Sequence, residues 1–308
     1  MAKEMRQAYA NALIEEARVN DKIVVLEADL MSATGTKTFK SEFPERTIDV
    51  GVAEANMVGM AAGLSVAGYI PFAATFGTFA ARRALDQFFI SGAYAKANVK
   101  LVGTDPGVTA AFNGGTHMPF EDTGIMKLIP NLTIVEPSDP VSAAAFTHLL
   151  AKQYGCAYMR LHRKGMDDIY SENETFEIGK SKIVRNGNDV CIFALGAVLV
   201  HEAIKAADEL KKEGINVRVV DVLTLKPLDK EMILKCAKEC AYIITLENNQ
   251  VSGGLYSSVL EIFNENHITK YVTAMGIHDE FGQVGTLDYL LKTYALDKDS
   301  IMEVIRNF

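Results

Sequence analysis

Short runs of apolar and β-branched residues recur along this chain, with helix-length segments between them. "KIVVLEA" (22–28), "RTIDV" (46–50), "YIPFAAT" (69–75), "VKLVG" (99–103), "LTIVEP" (132–137) and "CAYMRL" (156–161) are the first six. A strand without polar alternation has to be covered on both faces, so these runs predict a mainly parallel sheet flanked by helices. The intervening helices are expected near 5–18, 54–67, 78–95 and 139–153. "SDP" opens the last of them, an N-cap signal followed by a first-turn proline. Within 54–67, Met57, Met60, Ala61 and Leu64 stand at helical spacing and mark one face.

Residues 165–188 are polar and turn-rich, and after them the alternation restarts. "DVCIFAL" (189–195), "NVRVVDV" (216–222), "AYIITLE" (241–247) and "KYVTAMGI" are expected strands, with helices near 198–213, 229–239 and 253–265. The fold class is therefore α/β with two domains, each a mainly parallel sheet with right-handed crossovers. The expected boundaries are 1–170, a linker at 171–188, and 189–308.

The 308 residues suffice for two ordinary domains, and 49% hydrophobic content supplies their cores. A net charge of −8 argues against nucleic acid or an anionic membrane as the main partner, while leaving room for a small anionic ligand held by a few local cations. The four cysteines lack further ligands at metal-binding spacing and read as small buried hydrophobes. "MAKEMRQAYANAL" contains no uninterrupted apolar stretch of the kind a signal peptide needs, so a cytoplasmic protein is expected. Residues 55–81 carry no charge, but Gly59, Gly63, Gly68, Pro71 and Gly77 argue against a membrane span.

One carboxylate, Glu54, opens that uncharged run, just past the strand "TIDV" and at a helix start. Ligands collect beyond the carboxyl ends of strands in open α/β sheets. The helix dipole would lower the pKa of this carboxyl and apolar surroundings would raise it, which suits a group that shares a proton with a ligand nitrogen. On position alone, a solvated helix-start glutamate is the competing reading. "TFGTFAARR" (75–83) sets Phe76 and Phe79 three apart just after a strand, where core aromatics are the plain alternative. "TDPGVTAAFNGGTHMPFED" (104–122) is a long Gly-rich loop holding one imidazole, His117, a candidate substrate contact. Phosphate-loop, dinucleotide, zinc-protease and nucleophile-elbow motifs are all absent.

The ordered motifs "DVGVAEANMVGMAAGLSVAGYIPFAATFGTF", "NGGTHMPFED", "PNLTIVEPSD" and "RLHRK" resemble the pyrimidine-binding domain of thiamine diphosphate enzymes of the transketolase family. Residues 189–308, with "LENNQVSGGLYSSV" and "GIHDEFGQVGTLDYLL", resemble that family's C-terminal domain. The resemblance implies that Glu54 hydrogen-bonds N1′ of the cofactor's aminopyrimidine, favouring the tautomer that generates the C2 ylid. It implies that Phe76 and Phe79 hold the aminopyrimidine, that Asp29 and Leu30 lie beside the thiazolium, and that His117 contacts substrate oxygen. It places Arg6 and Arg163 on the anionic end of a sugar phosphate.

Two departures accompany the resemblance. The family's GDG diphosphate and metal motif does not occur in this sequence. The chain therefore resembles the C-terminal half of a split transketolase, providing no metal ligand itself. Its expected partner is an N-terminal subunit in an α2β2 heterotetramer, with thiamine diphosphate and Mg2+ (or Ca2+) held through that partner. In the substrate loop, Asn113 stands where an acidic residue is common and Asp105 where a second histidine falls, while Ala33, between Ser32 and Thr34, replaces a serine. A carboxylate at 105 would repel a phosphate, so a nonstandard donor is expected. The expected activity is transfer of a two-carbon ketol unit from a ketose to an aldose. A 2-oxoacid dehydrogenase E1 β subunit, a deoxyxylulose-phosphate synthase-like enzyme and a non-catalytic assembly module are the rival readings.

Overall fold

The computed structural model describes residues 3–308; Met1 and Ala2, with which the first expected domain begins, lie outside the described residues. A seven-stranded sheet runs in the order Thr224–Lys226, Thr133–Val135, Ala157–Leu161, Lys100–Thr104, Ile70–Phe76, Ile23–Glu27, Thr47–Asp49. A five-stranded sheet follows the order Val272–Ile277, Tyr242–Gln250, Val190–Ala194, Val217–Asp221, Lys182–Arg185. The inner strands are largely buried and pair with one another in parallel, for example Val25 opposite Phe72 and Ile192 opposite Ile244. The fold is thus the α/β class expected from the uninterrupted apolar runs.

The chain leaves Ile23–Glu27 for Thr47–Asp49 on one side and returns to Ile70–Phe76 on the other. This reversal is a topological switch point, the place where an open α/β sheet leaves a crevice at its carboxyl ends. Phe76 ends its strand, and Asp29, Glu54, Asp105 and Arg163 follow strand ends. On the opposite flank, Asp139 caps the helix Pro140–Lys152 by accepting from Ser142 N at 2.7 Å, as "SDP" predicts.

Several elements differ from the sequence expectation. The helix expected at 78–95 breaks into Gly77–Arg82, Leu85–Gln87 and a π-helical Phe88–Tyr94. Its first interruption falls at Arg83–Ala84, where Arg83 turns to form an ion pair described below. In Glu54–Val66 the buried face is Met57, Val58, Ala61 and Ala62, whereas Met60 is exposed, so the apolar stripe is rotated from the one expected. The polar segment at 165–188 is built into the fold. Gly165–Met166 pairs with Lys3–Glu4, Lys182–Arg185 forms an antiparallel edge strand, and the amides of Ile169 and Tyr170 donate to Asp139. Two further helices, Leu287–Thr293 and Lys298–Arg306, close the chain behind the caps Thr286 and Asp297. All four cysteines are free and buried. No helix among the described residues is long and apolar enough to cross a membrane.

Glu27 ends the strand Ile23–Glu27 fully buried, and Thr34 and Thr36 each donate to its Oε1 at 2.6 Å. Burial pushes its carboxyl up to about 8, against those two hydrogen bonds. A raised carboxylate pKa means that the folded chain holds a proton the unfolded chain has already released. This contribution to stability is therefore present at low pH and falls as pH rises from near 4.5 to about 8. Glu27→Gln is expected to remove a slope of about 1.4 kcal/mol per pH unit in that window, read as the pH dependence of urea midpoints. Parallel wild-type and variant curves would contradict the assignment.

Candidate active site

Glu54 is the first residue of its helix, and its side chain is only 3% exposed. Both carboxylate oxygens face one group, the Arg83 Nη1, at 3.1 and 3.3 Å. The Arg83 guanidinium also lies 4.1 Å from the centre of the Phe79 ring, and its side chain is 51% exposed. A shielded carboxylate thus meets a cation that can swing into solvent. Sequence reasoning missed Arg83 because the second of two adjacent arginines carries no signal of its own.

Phe76 and Phe79 are half-buried, their rings 6.1 Å apart and inclined by 42°. The His117 ring stands edge-on to both, at 5.9 and 5.3 Å. Thr116 Oγ1 lies 2.9 Å from His117 Nδ1, which makes Nε2 the nitrogen available to a substrate. Two aromatic faces beside a shielded carboxylate form a wall and a polar tip suited to a flat heteroaromatic ring.

Arg6 and Arg163 are drawn together by the ribbon pairing Lys3–Glu4 with Gly165–Met166. Each arginine already has an acidic partner. Arg6 forms a fork on Glu4 at 2.8 and 3.1 Å and also donates to the carbonyls of Ser32 and Ala33. Arg163 Nε donates to Asp105 Oδ1 at 2.7 Å, and its guanidinium lies 5.5 Å from the Phe76 ring centre. Asp105 is buried with a backbone φ of 59°, and its Oδ2 has no partner. Burial raises its carboxyl to about 6, while Arg163, Lys164 and Arg6 pull it down. The Asp105 carboxylate thus faces Arg163 and tempers its charge. Glu4 was not anticipated, since a near-terminal glutamate resembles any solvated residue.

Asp29 is exposed with φ 61°, its amide tied to Asp49 Oδ1 at 3.0 Å, and Leu30 beside it is half-buried. Ala33 leaves Ser32 exposed as a neighbouring hydroxyl, but Thr34 is buried and committed to Glu27. Asn113 is exposed at the end of the loop's first turn. Among the described residues no group of three or more His, Cys, Asp or Glu side chains is arranged to hold a metal ion.

Two mainly parallel sheets, with this carboxylate and aromatic grouping beyond the strand ends of the first, define a pyrimidine-binding domain followed by its C-terminal companion. Family models agree: residues 1–167 match "Transketolase, pyrimidine binding domain" and residues 179–301 match "Transketolase, C-terminal domain". The chain belongs to the transketolase family, which depends on thiamine diphosphate, and it corresponds to a transketolase C-terminal subunit. It is 46% identical over 299 residues to the "6-deoxy-6-sulfo-D-fructose transketolase subunit SqwH" of Clostridium sp. (strain MSTE9), covering 97% of this chain and 92% of that protein. It is 41% identical over 305 residues to the "Putative transketolase C-terminal section" of Methanocaldococcus jannaschii, covering 98% and 95%. A solved structure described as "Split gene transketolase, inactive beta4 tetramer" superposes with a TM-score of 0.90 at 37% identity, covering 100% of this chain and 98% of that one. The chain spans about half, 48%, of the length of the human transketolase that it also matches.

Proposed function

We propose that this chain is the C-terminal subunit of a two-chain, cytoplasmic transketolase that moves a two-carbon ketol unit from an anionic ketose to an aldose. Thiamine diphosphate would lie between this chain and an N-terminal partner, with Mg2+ or Ca2+ held by the partner's ligands in an α2β2 heterotetramer. The observation that carries the reading is the convergence of Glu54, Phe76, Phe79 and His117 beside the Arg163–Asp105 pair. The residues present fit the aminopyrimidine: a shielded carboxylate paired only with a half-exposed guanidinium, next to two aromatic faces. When bound, the cofactor supplies a carbon nucleophile and an electron sink. Glu54 holds a proton at a ring nitrogen, screened from competing water. Phe76 and Phe79 orient the ring, and Asp29 and Leu30 border its neighbour. His117 Nε2 offers a hydrogen bond to substrate oxygen.

The partner reading draws support from an uncharged surface beside the site. Val52, Asn56, Met60 and Val66 are exposed on and before the helix Glu54–Val66, and Phe89, Ile90 and Tyr94 are exposed on the π-helical stretch packed against it. An apolar face of this kind is what an obligate subunit interface leaves when opened. The donor reading rests on the tempered cation. A sulfonate carries one negative charge and a phosphate close to two, so a carboxylate beside Arg163 penalises phosphate more. The name of the Clostridium relative, a sulfosugar transketolase subunit, is consistent with such a donor.

The purified chain alone is expected to transfer no ketol unit and to bind thiamine diphosphate weakly. Titration calorimetry with cofactor and magnesium, with and without a chain carrying the GDG motif, checks this. Tight magnesium-dependent binding by this chain alone would overturn the partner reading.

A further inference from the structure

The loop from Asp105 to His117 carries the anion-side carboxylate at one end and the substrate-facing imidazole at the other. It departs from ordinary backbone repeatedly: Asp105, Gly107, Ala111 and Gly114 have φ of 59°, 52°, 49° and 77°. Such a path persists only where surrounding structure over-determines it. Within the loop, Thr109 N and Oγ1 both donate to Pro106 O, Gly114 N to Ala111 O and His117 N to Gly114 O.

The first domain holds the loop's ends, through Asp105 N to Leu161 O and Thr78 Oγ1 to Thr116 O, and the second domain holds the turn after Asp105 and packs on the far end. Asn248, 3% exposed on the strand Tyr242–Gln250, donates from Nδ2 to Pro106 O at 2.9 Å and accepts from Val108 N on Oδ1 at 2.9 Å. It brackets the turn directly after Asp105. The fit leaves no slack, since a Cβ on Gly107 would sit 2.1 Å from Asn248 Oδ1. Asn248 is itself fixed, its carbonyl accepting from the buried Arg160 at 3.2 Å. At the loop's far end a Cβ on Gly115 would sit 2.2 Å from Gly282 O, and one on Gly282 would sit 2.5 Å from Met118 Sδ. Two separate segments of the C-terminal domain therefore press on the two ends of the loop.

We infer that Asn248 and Gly282 make the C-terminal domain the template for the substrate loop, with Asn248 a positioning residue acting through Asp105, Arg163 and His117. The inference rests on the transketolase reading for its kinetic consequence but not for its structural one. Glu54, Phe76 and Phe79 lie on other elements, so cofactor activation and donor use should separate. In the complex reconstituted with the partner, Asn248→Ala is expected to lower kcat/KM for an anionic ketose by about 10- to 100-fold, the scale for a misplaced positioning group. The rate of cofactor C2 proton exchange should stay within about twofold of wild type.

Gly282→Ala provides the second variant; at a half-exposed position it adds one methyl that meets Met118 Sδ and Gly115 Cα and leaves Asn248 in place, so it serves where Asn248→Ala fails to fold. Hydrogen exchange on the full chain alone gives an independent readout. Amides from Val108 to His117 should exchange at least about tenfold faster in either variant, with Met57–Ala62 unchanged. Unchanged loop exchange in Gly282→Ala overturns the inference, as does a fall in donor use matched by an equal fall in C2 exchange. A wild-type complex that transfers no ketol unit overturns the functional reading instead, and the amide exchange then decides the loop's support by itself.

Discussion

Glu54→Gln in the reconstituted complex is expected to lower turnover by at least about two orders of magnitude, the scale for losing general acid–base assistance. Gln keeps the shape and can still hydrogen-bond, but it has no ionisable proton to exchange with a ring nitrogen. The fold should survive. The partner lost is Arg83, whose side chain is 51% exposed, and a half-exposed ion pair contributes little to stability. Cofactor C2 proton exchange followed by NMR is the direct measurement. Exchange at the wild-type rate would mean that Glu54 serves only to pair with Arg83 and start its helix.

Arg163→Ala is expected to weaken use of the anionic donor by roughly 2–4 kcal/mol, the range for truncating one partner of a desolvated charge pair. The ion pair to Asp105 adds a pH dependence with a definite sign. Near pH 5.5 Asp105 is largely protonated, its carboxyl lying at about 6, and the Arg163 charge is uncompensated. As pH rises toward 7.5 the carboxylate forms among Arg163, Lys164 and Arg6, and the donor's anion is held less well. KM for a sulfonated ketose, whose own charge is constant over that range, should therefore rise across the interval, and Asp105→Asn should flatten the rise. A kcat/KM panel of phosphorylated and sulfonated ketoses on wild type, Arg163→Ala and Asp105→His tests the specificity. Phosphorylated ketoses as best donors, with no gain in Asp105→His, would show that the loop departures do not set the choice.

The inner strands are legible in the sequence because burial on both faces leaves an unbroken apolar run, as in "KIVVLEA" and "DVCIFAL". Lys182–Arg185 is not, because a four-residue edge strand with every residue half-buried sits among polar turn residues and shows neither alternation nor continuity. The break at Arg83–Ala84 has no glycine or proline to announce it. At the site, the positions of Glu54, Phe76, Phe79 and His117 follow from strand ends and can be read locally. Their partners cannot. The pairs Arg83–Glu54 and Arg163–Asp105 depend on which loop ends the fold brings together and on which rotamers the crowding allows. Asn248 is harder still, since its bonds to Pro106 and Val108 join residues more than a hundred positions apart.

The strand Thr224–Lys226 comes from the second half of the chain yet pairs with Thr133–Val135 at the margin of the first sheet. The two halves are thus stitched rather than merely docked. A protease nick in 171–188 should leave both fragments associated. A truncated first half would present the bare hydrogen-bonding groups of Thr133–Val135, an invitation to aberrant pairing. Any chimera that exchanges the C-terminal module for another must carry a matching strand at 224–226, so compatibility between halves is written into a three-residue segment remote from the catalytic crevice.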